Sequence, residues 1–247
     1  MVYRAELWLD MGFTVLFLFM QIFLWRALIA SGLAGDTTIE DMVSYVVLSR
    51  LIGIMAYSGA EWTIQERLSS GDICHDLARP VSFRLQMLLA DLGNAAANLL
   101  LRGAPSLIVA VLAVGMKPPA SLLHFAAFLL LAALGCAIAF MTSYLVGLIA
   151  FYVLRVDYLS MSVYSVMAFL SGQYAPLWFY PPWLRAIAEY SPFKHIYYTP
   201  IAAYLGKASP GEVVRSLVVT LLWVGVFAVA HALLWRKTVR RLVVQGG

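Results

Sequence analysis

The sequence predicts an all-α membrane protein with six transmembrane helices. Of its 247 residues, 62% are hydrophobic and only 12% are charged, whereas a soluble domain is roughly half apolar and about a quarter charged. The apolar residues also gather in runs of the length that a helix needs to cross a bilayer, about 20 residues. So few charges cannot cover a water-soluble domain of this length, and lipid is therefore the expected solvent.

Six apolar runs divide the chain, at residues 11–30, 42–60, 86–115, 121–152, 157–175 and 213–235. We interpret the first run as a retained helix, because it is longer than the apolar core of a secretory signal peptide. The third and fourth runs exceed the length of one span, so we expect tilt or a break. Pro105 in the third run removes a backbone hydrogen bond, which favours a kink there. The chain length fits a single domain over residues 1–247.

The distribution of Lys and Arg predicts the orientation, because cytoplasmic connections carry an excess of basic residues. With both termini in the cytoplasm, nine basic residues lie inside: Arg4, Arg67, Arg79, Arg84, Arg155, Arg236, Lys237, Arg240 and Arg241. Four then lie outside: Lys117, Arg185, Lys194 and Lys207. We therefore expect both termini on the cytoplasmic side.

The connection between the second and third runs, residues 61–84, is too long for a simple turn. Residues 61–70 are good helix formers with Ile64 and Leu68 on one face, and the acidic residues of the first turns suit the helix dipole. Gly71 is placed to end this helix, because glycine adopts the left-handed conformation without steric cost. We predict a short helix lying across the cytoplasmic face.

An irregular outer segment, residues 172–211, separates the fifth and sixth runs. Its part 174–184 is rich in proline and aromatic residues, including Trp178, Tyr180 and Trp183. Such a run either forms a belt at the headgroup level or stacks on a flat amphipathic substrate. Residues 184–203 are apolar but interrupted by charges and prolines, so we expect two short helices that dip into the outer leaflet or lie on it.

The sequence holds no motif that we can connect with catalysis. It lacks the GxxxxGKS/T phosphate loop, its four histidines fall in four different segments, and Cys74 and Cys136 have no metal-site spacing. We therefore predict no catalytic residue, no metal site and no cofactor bound by this chain. It also lacks a basic stripe with interleaved aromatic residues, so a nucleic-acid partner is not expected.

Three arginines, Arg26, Arg50 and Arg102, fall inside apolar runs. An arginine at that depth costs about 2.5–3.5 kcal/mol on insertion scales, so each should have a partner or water. Two interpretations stay open. The arginines reach the outer headgroups or pair with Glu40, Asp41 or backbone carbonyls; alternatively, one or more face a translocation path and attract an anionic group.

Three stretches give the sequence a resemblance to a known family. They are residues 38–45 (TIEDMVSY), residues 66–73 (ERLSSGDI) with 77–81 (LARPV), and residues 170–206, which carry SG, PL, YP, WL, SPF and YLG in order. In this order, and on six apolar runs, they resemble the type-2 ABC exporter permeases, in the branch with a separate ATPase and often with paired permeases. Ala78 and Tyr180 depart from the family pattern, which more often has Leu and Phe there.

The resemblance implies that residues 61–70 are a coupling helix, which docks in a groove of the ATPase. The residues expected to take part in this contact are Glu61, Trp62, Ile64, Glu66, Arg67, Leu68, Gly71 and Asp72. The resemblance also implies re-entrant outer helices over residues 176–204 that form an external gate. Candidate residues for the path or the gate are then Arg26, Arg50, Arg102, Trp178, Tyr180 and Trp183.

The resemblance further implies the partners: two copies of a separate ABC ATPase that bind ATP and Mg²⁺, and a second permease, identical or paralogous, within the membrane lipid. The expected function is the export of an amphipathic, drug-like or lipid-like substrate across a bacterial-type inner membrane by alternating access. Two other classes stay open, an ATP-independent secondary transporter or channel and an intramembrane enzyme. Against them stand the missing inverted repeat and the missing cluster of nucleophile, acid or metal ligands.

Overall fold

The computed structural model describes residues 2–32, 37–153 and 155–245, which are mostly helical. The helices are α1 (Val2–Ala30), α2 (Ile39–Ala56), α3 (Ala60–Ser70), α4 (Ile73–Leu77), α5 (Phe83–Asn98), α6 (Ala104–Val114), α7 (Leu122–Ile149), α8 (Asp157–Leu170), α9 (Pro182–Tyr190), α10 (Tyr198–Tyr204) and α11 (Pro210–Gln245). A π-helical turn, Leu99–Gly103, joins α5 to α6, and 3-10 turns lie at Leu177–Phe179 and Phe193–His195. The described residues contain no β-strand, so the predicted all-α class is confirmed.

Two of the described helices are long and apolar enough to cross a membrane. They are Leu122–Ile149, which is α7, and Pro210–Val239, which is most of α11. They lie at the fourth and sixth predicted spans. The other four spans stay predictions: α1, α2, the α5–α6 pair and α8 occupy their places. Among these, α8 has only 14 residues, about 21 Å of helix.

The central helix of the bundle is α7, which contributes to two separate apolar cores. The larger core joins α2, α7 and α10 through side chains such as Tyr45, Ile138 and Ile201. The smaller core joins α3, α5 and α7 around Ile64 and Tyr144. One end of the bundle therefore holds residues 176–204 and the other holds α3; we call them the 176–204 end and the α3 end.

The outward faces of α7 and α11 are themselves apolar. Leu122 and Leu129 on α7, and Leu222 and Val229 on α11, are more than half exposed. A continuous apolar surface of this kind is rarely left open to water. Helices satisfy their own backbone hydrogen bonds, so such a surface is stable in lipid.

The third apolar run is irregular where its proline predicted an irregularity. The π turn Leu99–Gly103 precedes α6, and Pro105 lies in the first turn of α6. A π turn relaxes the hydrogen-bond ladder and is a common site of helix kinks. In contrast, α7 continues for 28 residues without a break.

Two short helices, α9 and α10, form within residues 176–204, as the sequence predicted. This segment packs closely on α7 at Gly135, where an added Cβ would lie 2.6 Å from the carbonyl oxygen of His195. Small residues allow such close backbone approach between membrane helices. A re-entrant position of α9 and α10 in a membrane stays a prediction.

Candidate functional site

The helices α3 and α4 form a compact hairpin, which we call the α3–α4 segment. Gly71 ends α3 with a φ of 83°, as the sequence predicted, and this left-handed conformation favours glycine. Arg67 of α3 forms an ion pair with the buried carboxylate of Asp76 in α4. A second arginine, Arg79, lies 3.6 Å from the same carboxylate. These contacts hold α4 against α3.

One face of the α3–α4 segment is buried and the other is open. Glu61 and Ile64 are fully buried, because the start of α3 packs on α7 at Gly147. Both side chains therefore belong to the core of this chain, which leaves the other candidates to make any direct contact with a partner protein. The remaining candidates are half-buried, Trp62, Arg67 and Leu68, or exposed, Glu66, Gly71 and Asp72.

A cluster of polar side chains holds the link between α2 and α3. The Ser143 hydroxyl of α7 donates a hydrogen bond to the Glu61 carboxylate, and the Tyr164 hydroxyl of α8 donates one to the Ser58 carbonyl. The Asp91 carboxylate of α5 lies beside the Ser58 hydroxyl. We call these five residues the polar joint. Through the polar joint, the start of α3 contacts three other helices.

Glu61 carries the buried carboxylate at the start of α3. Burial raises the pKa of Glu61, and the hydrogen bond from Ser143 opposes that shift in part. Its Oε1 atom has no hydrogen-bond partner among the described residues. Because burial disfavours a charged carboxylate, the protonated form of Glu61 is more favoured in the folded protein than in the unfolded chain.

At the 176–204 end, Asp41 pairs with two lysines from different connections. The Asp41 carboxylate oxygens lie 3.0 Å from Lys117 Nζ and 2.9 Å from Lys207 Nζ. Burial by itself raises the pKa of Asp41, but hydrogen bonds and ion pairs with both lysines hold that pKa below its ordinary value. We call these three residues the Asp41 clamp. The Asp41 clamp links the start of α2 to the connections that precede α7 and α11.

The three aromatic candidates of residues 176–204 occupy different environments. The Trp178 ring lies 4.6 Å from Lys207 Nζ, a favourable cation–π distance, and 5.8 Å from the Tyr45 ring. Tyr180 donates a 2.7 Å hydrogen bond to a backbone carbonyl of α8. Trp183 is 66% exposed. Of these three, Trp183 alone therefore presents most of its ring for stacking on another molecule.

The three arginines of the apolar runs also lie in different places. Arg26 is exposed on α1, and Arg102 is half-buried in the π turn. Arg50 lines a cavity between α1 and α2. Asp41, one of the partners expected for these arginines, is held by the lysines of the Asp41 clamp instead.

A family model described as "ABC-2 family transporter protein" matches residues 13–246, nearly the whole chain. The chain belongs to the ABC-2 transporter family. The resemblance to type-2 ABC permeases, which three sequence stretches indicated, is thereby confirmed. No curated protein and no solved structure matches the chain.

Membership in the ABC-2 family bears on two features described above, the α3–α4 segment and the apolar outer surface. An ABC-2 permease is a membrane subunit without an ATPase domain of its own, and it works with an ABC ATPase. The apolar faces of α7 and α11 agree with a membrane location.

Sequence reasoning missed the Asp41 clamp and the polar joint of this ABC-2 permease. Their members are distant along the chain: 76 residues separate Asp41 from Lys117, and 82 separate Glu61 from Ser143. A partial signal did exist for the clamp. The predicted orientation puts Lys117 and Lys207 outside, and Asp41, which lies between the first two apolar runs, falls on the same side of the membrane. Pairing is the expected fate of a buried carboxylate there.

Proposed function

We propose that this chain is the membrane-spanning permease subunit of an ATP-driven exporter, which moves an amphipathic, drug-like or lipid-like substrate outward by alternating access. In this proposal, six spans cross a bacterial-type inner membrane and both termini lie in the cytoplasm. A separate ABC ATPase, in two copies, binds ATP and Mg²⁺. A second permease, identical or paralogous, completes the complex. Family membership supports the permease role.

The observation that carries the proposal is the two-sided form of the α3–α4 segment. Its apolar side is fixed to the bundle by Ile64, which packs against Gly147 of α7. Its other side exposes Glu66 and Asp72. A helix that is anchored on one side and charged on the open side can receive a displacement from a docked ATPase and pass it to the bundle. We therefore assign α3 as the coupling helix.

The polar joint supplies the route by which this displacement reaches the spans. Closure of the ATPase dimer around ATP moves α3, and the hydrogen bonds of Glu61 and Ser58 carry α7 and α8 with it. Coupling of this kind requires that the docked contacts differ in free energy between the two states of the permease.

In this proposal, the Asp41 clamp holds the external gate closed. It joins three connections at the 176–204 end, and Lys207 also covers the Trp178 ring. Outward opening separates α2 from the starts of α7 and α11, which requires the two ion pairs to break. Those ion pairs therefore stabilise the state with a closed outer side.

Affinity purification of the tagged chain from native membranes in mild detergent tests the proposal. We expect an ABC ATPase to co-purify with the chain and to hydrolyse ATP after reconstitution in lipid. The double variant Glu66→Lys with Asp72→Lys should lose the ATPase, because it reverses the exposed charge of the α3–α4 segment. Glu189→Lys is the matched control, since it reverses an exposed charge on α9 at the other end of the bundle and should retain the ATPase.

Two results would overturn the proposal. A chain that purifies alone, hydrolyses no ATP and still moves solute in vesicles would be an ATP-independent transporter or channel. Equal loss of the ATPase from the Glu189→Lys control would show that charge reversal acts through folding and not through docking.

A further inference from the structure

The helix α3 contacts the first turn of α8 through Gln65, at a point outside the polar joint. The Gln65 Oε1 atom accepts a 2.7 Å hydrogen bond from the backbone N–H of Val156, the residue directly before α8. The carboxylate of Asp157, the first residue of α8, lies beside the Gln65 amide. Gln65 and Val156 are 91 positions apart in the sequence, so this contact forms only in the folded bundle.

The start of α8 needs an acceptor from another helix. Val156 is fully buried, and a buried backbone N–H is nearly always hydrogen-bonded. In a capping box, a glutamate or glutamine three residues further along the chain accepts this N–H, but that position in α8 is Leu159. Val156 has a hydrocarbon side chain, and it makes no side-chain cap bond. Gln65 of α3 therefore takes the place of a local acceptor.

Asp157 fits the other end of the same amide. A glutamine side chain carries an acceptor oxygen and a donor nitrogen, and the oxygen of Gln65 is bound to Val156. The nitrogen is then available to the Asp157 carboxylate, which is also held by Arg155 Nε at 2.6 Å. A glutamate at position 65 would turn an oxygen toward that carboxylate. The contact is therefore specific for the amide.

The link from α3 to α8 thus has two levels. Tyr164 bonds to Ser58 in the polar joint, and Val156, eight residues earlier in the chain, lies about 12 Å from it along the helix. The smaller apolar core holds Ile64 of α3, whereas Tyr164 packs against the larger core. The two polar contacts therefore join helices whose apolar side chains lie in different cores, and together they resist rotation of α8 against α3 better than one contact could.

We propose that Gln65 is a positioning residue of the coupling mechanism: it fixes the start of α8 to the coupling helix, so that the two helices move together when the ATPase displaces α3. This inference rests on the proposed function and deepens it, because it assigns the side chain that transmits the movement to α8 on the ATPase side of the polar joint. Coupling of this kind requires a physical contact that persists while the bundle changes state.

Amide hydrogen exchange of the purified chain in phosphatidylcholine nanodiscs tests the contact without any ATPase. In Gln65→Leu, peptides that span the start of α8 should exchange at least about fivefold faster than in the wild type, because the buried N–H of Val156 loses its acceptor. Ser69→Leu is the matched control, since it places the same side chain on the exposed face of α3, and it should leave exchange at α8 unchanged.

A pair of reciprocal substitutions keeps the test decisive if Gln65→Leu fails to fold. Gln65→Glu retains an acceptor for Val156 but places an oxygen against the Asp157 carboxylate, so exchange at the start of α8 should again be faster. Asp157→Asn supplies a donor for that oxygen, and the double variant should exchange within about twofold of Asp157→Asn alone. Wild-type exchange in both Gln65→Leu and Gln65→Glu, or a double variant as fast as Gln65→Glu, would overturn the inference.

The complex with the ATPase tests the transmission of movement. Addition of ATP and vanadate to the wild-type complex should change the exchange of α3 and of the start of α8 together. The Gln65→Leu complex should still hydrolyse ATP, because Glu66 and Asp72 remain exposed for docking, but its ATP-dependent change should be confined to α3. A wild-type response of α8 in Gln65→Leu would overturn the inference. If no ATPase accompanies the wild-type chain, the export proposal fails, and the nanodisc comparison still decides whether Gln65 fixes α8 to α3.

Discussion

Glu61 is the residue whose surroundings predict a pH dependence of stability. Burial raises the pKa of Glu61, so its protonated form stabilises the folded protein. This contribution is complete below the ordinary pKa of 4.5, and it is lost as the pH rises through the folded-state pKa. Glu61→Gln keeps an oxygen for the Ser143 hydroxyl but cannot ionise. We expect this variant to melt at a higher temperature than the wild type at pH 7.5, by a margin that shrinks toward pH 4.5.

Thermal unfolding of both proteins in detergent across this pH range measures the margin. Glu66→Gln is the control on the same helix, because Glu66 is exposed, and it should stay within about 0.5 kcal/mol of the wild type at every pH. A Glu61→Gln margin that does not vary with pH would contradict a buried, titrating carboxyl at the start of α3.

Replacement of Asp41 should reduce the stability of the protein, and the pH dependence of the Asp41 contribution should be opposite to that of Glu61. Asp41→Asn removes the charge that holds Lys117 and Lys207, and we expect a loss of about 1–2 kcal/mol, limited because both lysines remain partly exposed to water. Since ion pairing lowers the pKa of Asp41, its contribution is complete above the ordinary value of 3.8 and is lost only as pH falls through the folded-state pKa.

Denaturation at pH 7.5 and at about pH 5 checks this prediction, because the difference between Asp41→Asn and the wild type should be the same at both. Glu40→Gln removes the neighbouring, exposed carboxylate and should leave stability unchanged. An equal loss in Glu40→Gln would indicate a general charge effect at the start of α2, and it would count against a specific clamp.

At the scale of elements, the contact of residues 176–204 with α7 depends on Gly135. A methyl group there would lie 2.6 Å from the His195 carbonyl oxygen and 2.9 Å from Ile196 Cα, and both are backbone atoms that cannot rotate away. We expect Gly135→Ala to destabilise the protein by about 1–3 kcal/mol. Gly93→Ala on α5 is the matched control, because nothing lies within 4 Å of its Cβ position, and it should be neutral or stabilising by up to about 1 kcal/mol.

Thermal melts of the two alanine variants distinguish overpacking from a general effect of added methyl groups. A Gly135→Ala protein as stable as Gly93→Ala would mean that residues 176–204 are not held against α7 as the structure describes.

A change in the turn between α3 and α4 should reduce the coupling of ATP hydrolysis to transport, while the chain should still insert into the membrane. Gly71 has a φ of 83°, which proline cannot adopt because its ring fixes φ near −65°. Gly71→Pro should displace α4, break the Arg67–Asp76 ion pair and reduce ATP-driven transport in reconstituted vesicles by about tenfold or more. Gly71→Asn, which tolerates the left-handed region, should retain most of the transport; full activity of Gly71→Pro would contradict the coupling role.

The elements that could be predicted from sequence are those with a local cause. Gly71 marked the end of α3, Pro105 marked the irregular third run, and interrupting charges and prolines marked two short helices before α11. The candidate site was predicted less completely. The sequence identified the α3–α4 segment, but not that Glu61 and Ile64 face inward, because that depends on Gly147 of α7, which is more than 80 residues away.

The ion pairs of the Asp41 clamp could not be predicted from local sequence patterns either, because they too join residues that are distant along the chain. Asp41, Lys117 and Lys207 approach one another only after α2, α7 and α10 have packed into the larger core. No period or motif along the chain encodes that packing. The sequence did give the sign of each charge and the side of the membrane on which it lies, and both limit the ion pairs that can form.

At the scale of the whole molecule, the two polar clusters lie at opposite ends of a bundle organised on α7. This helix of 28 residues, about 42 Å long, contacts residues 176–204 near Gly135 and α3 near Gly147. Alternating access requires the two ends to open in turn. The Asp41 clamp and the polar joint are the contacts whose free energy would have to differ between those states.

Site-specific photo-crosslinking in native membranes tests most directly whether a separate ATPase docks on the α3–α4 segment. A photoreactive amino acid replaces Glu66 in one variant and Glu189 in the control, and partners that bind ATP are detected with an azido-ATP label. We expect a crosslink to an ATP-binding polypeptide from position 66 and none from position 189. Absence of such a crosslink from position 66 in a transport-competent variant, or capture of the ATP-binding polypeptide from position 189 alone, would contradict it.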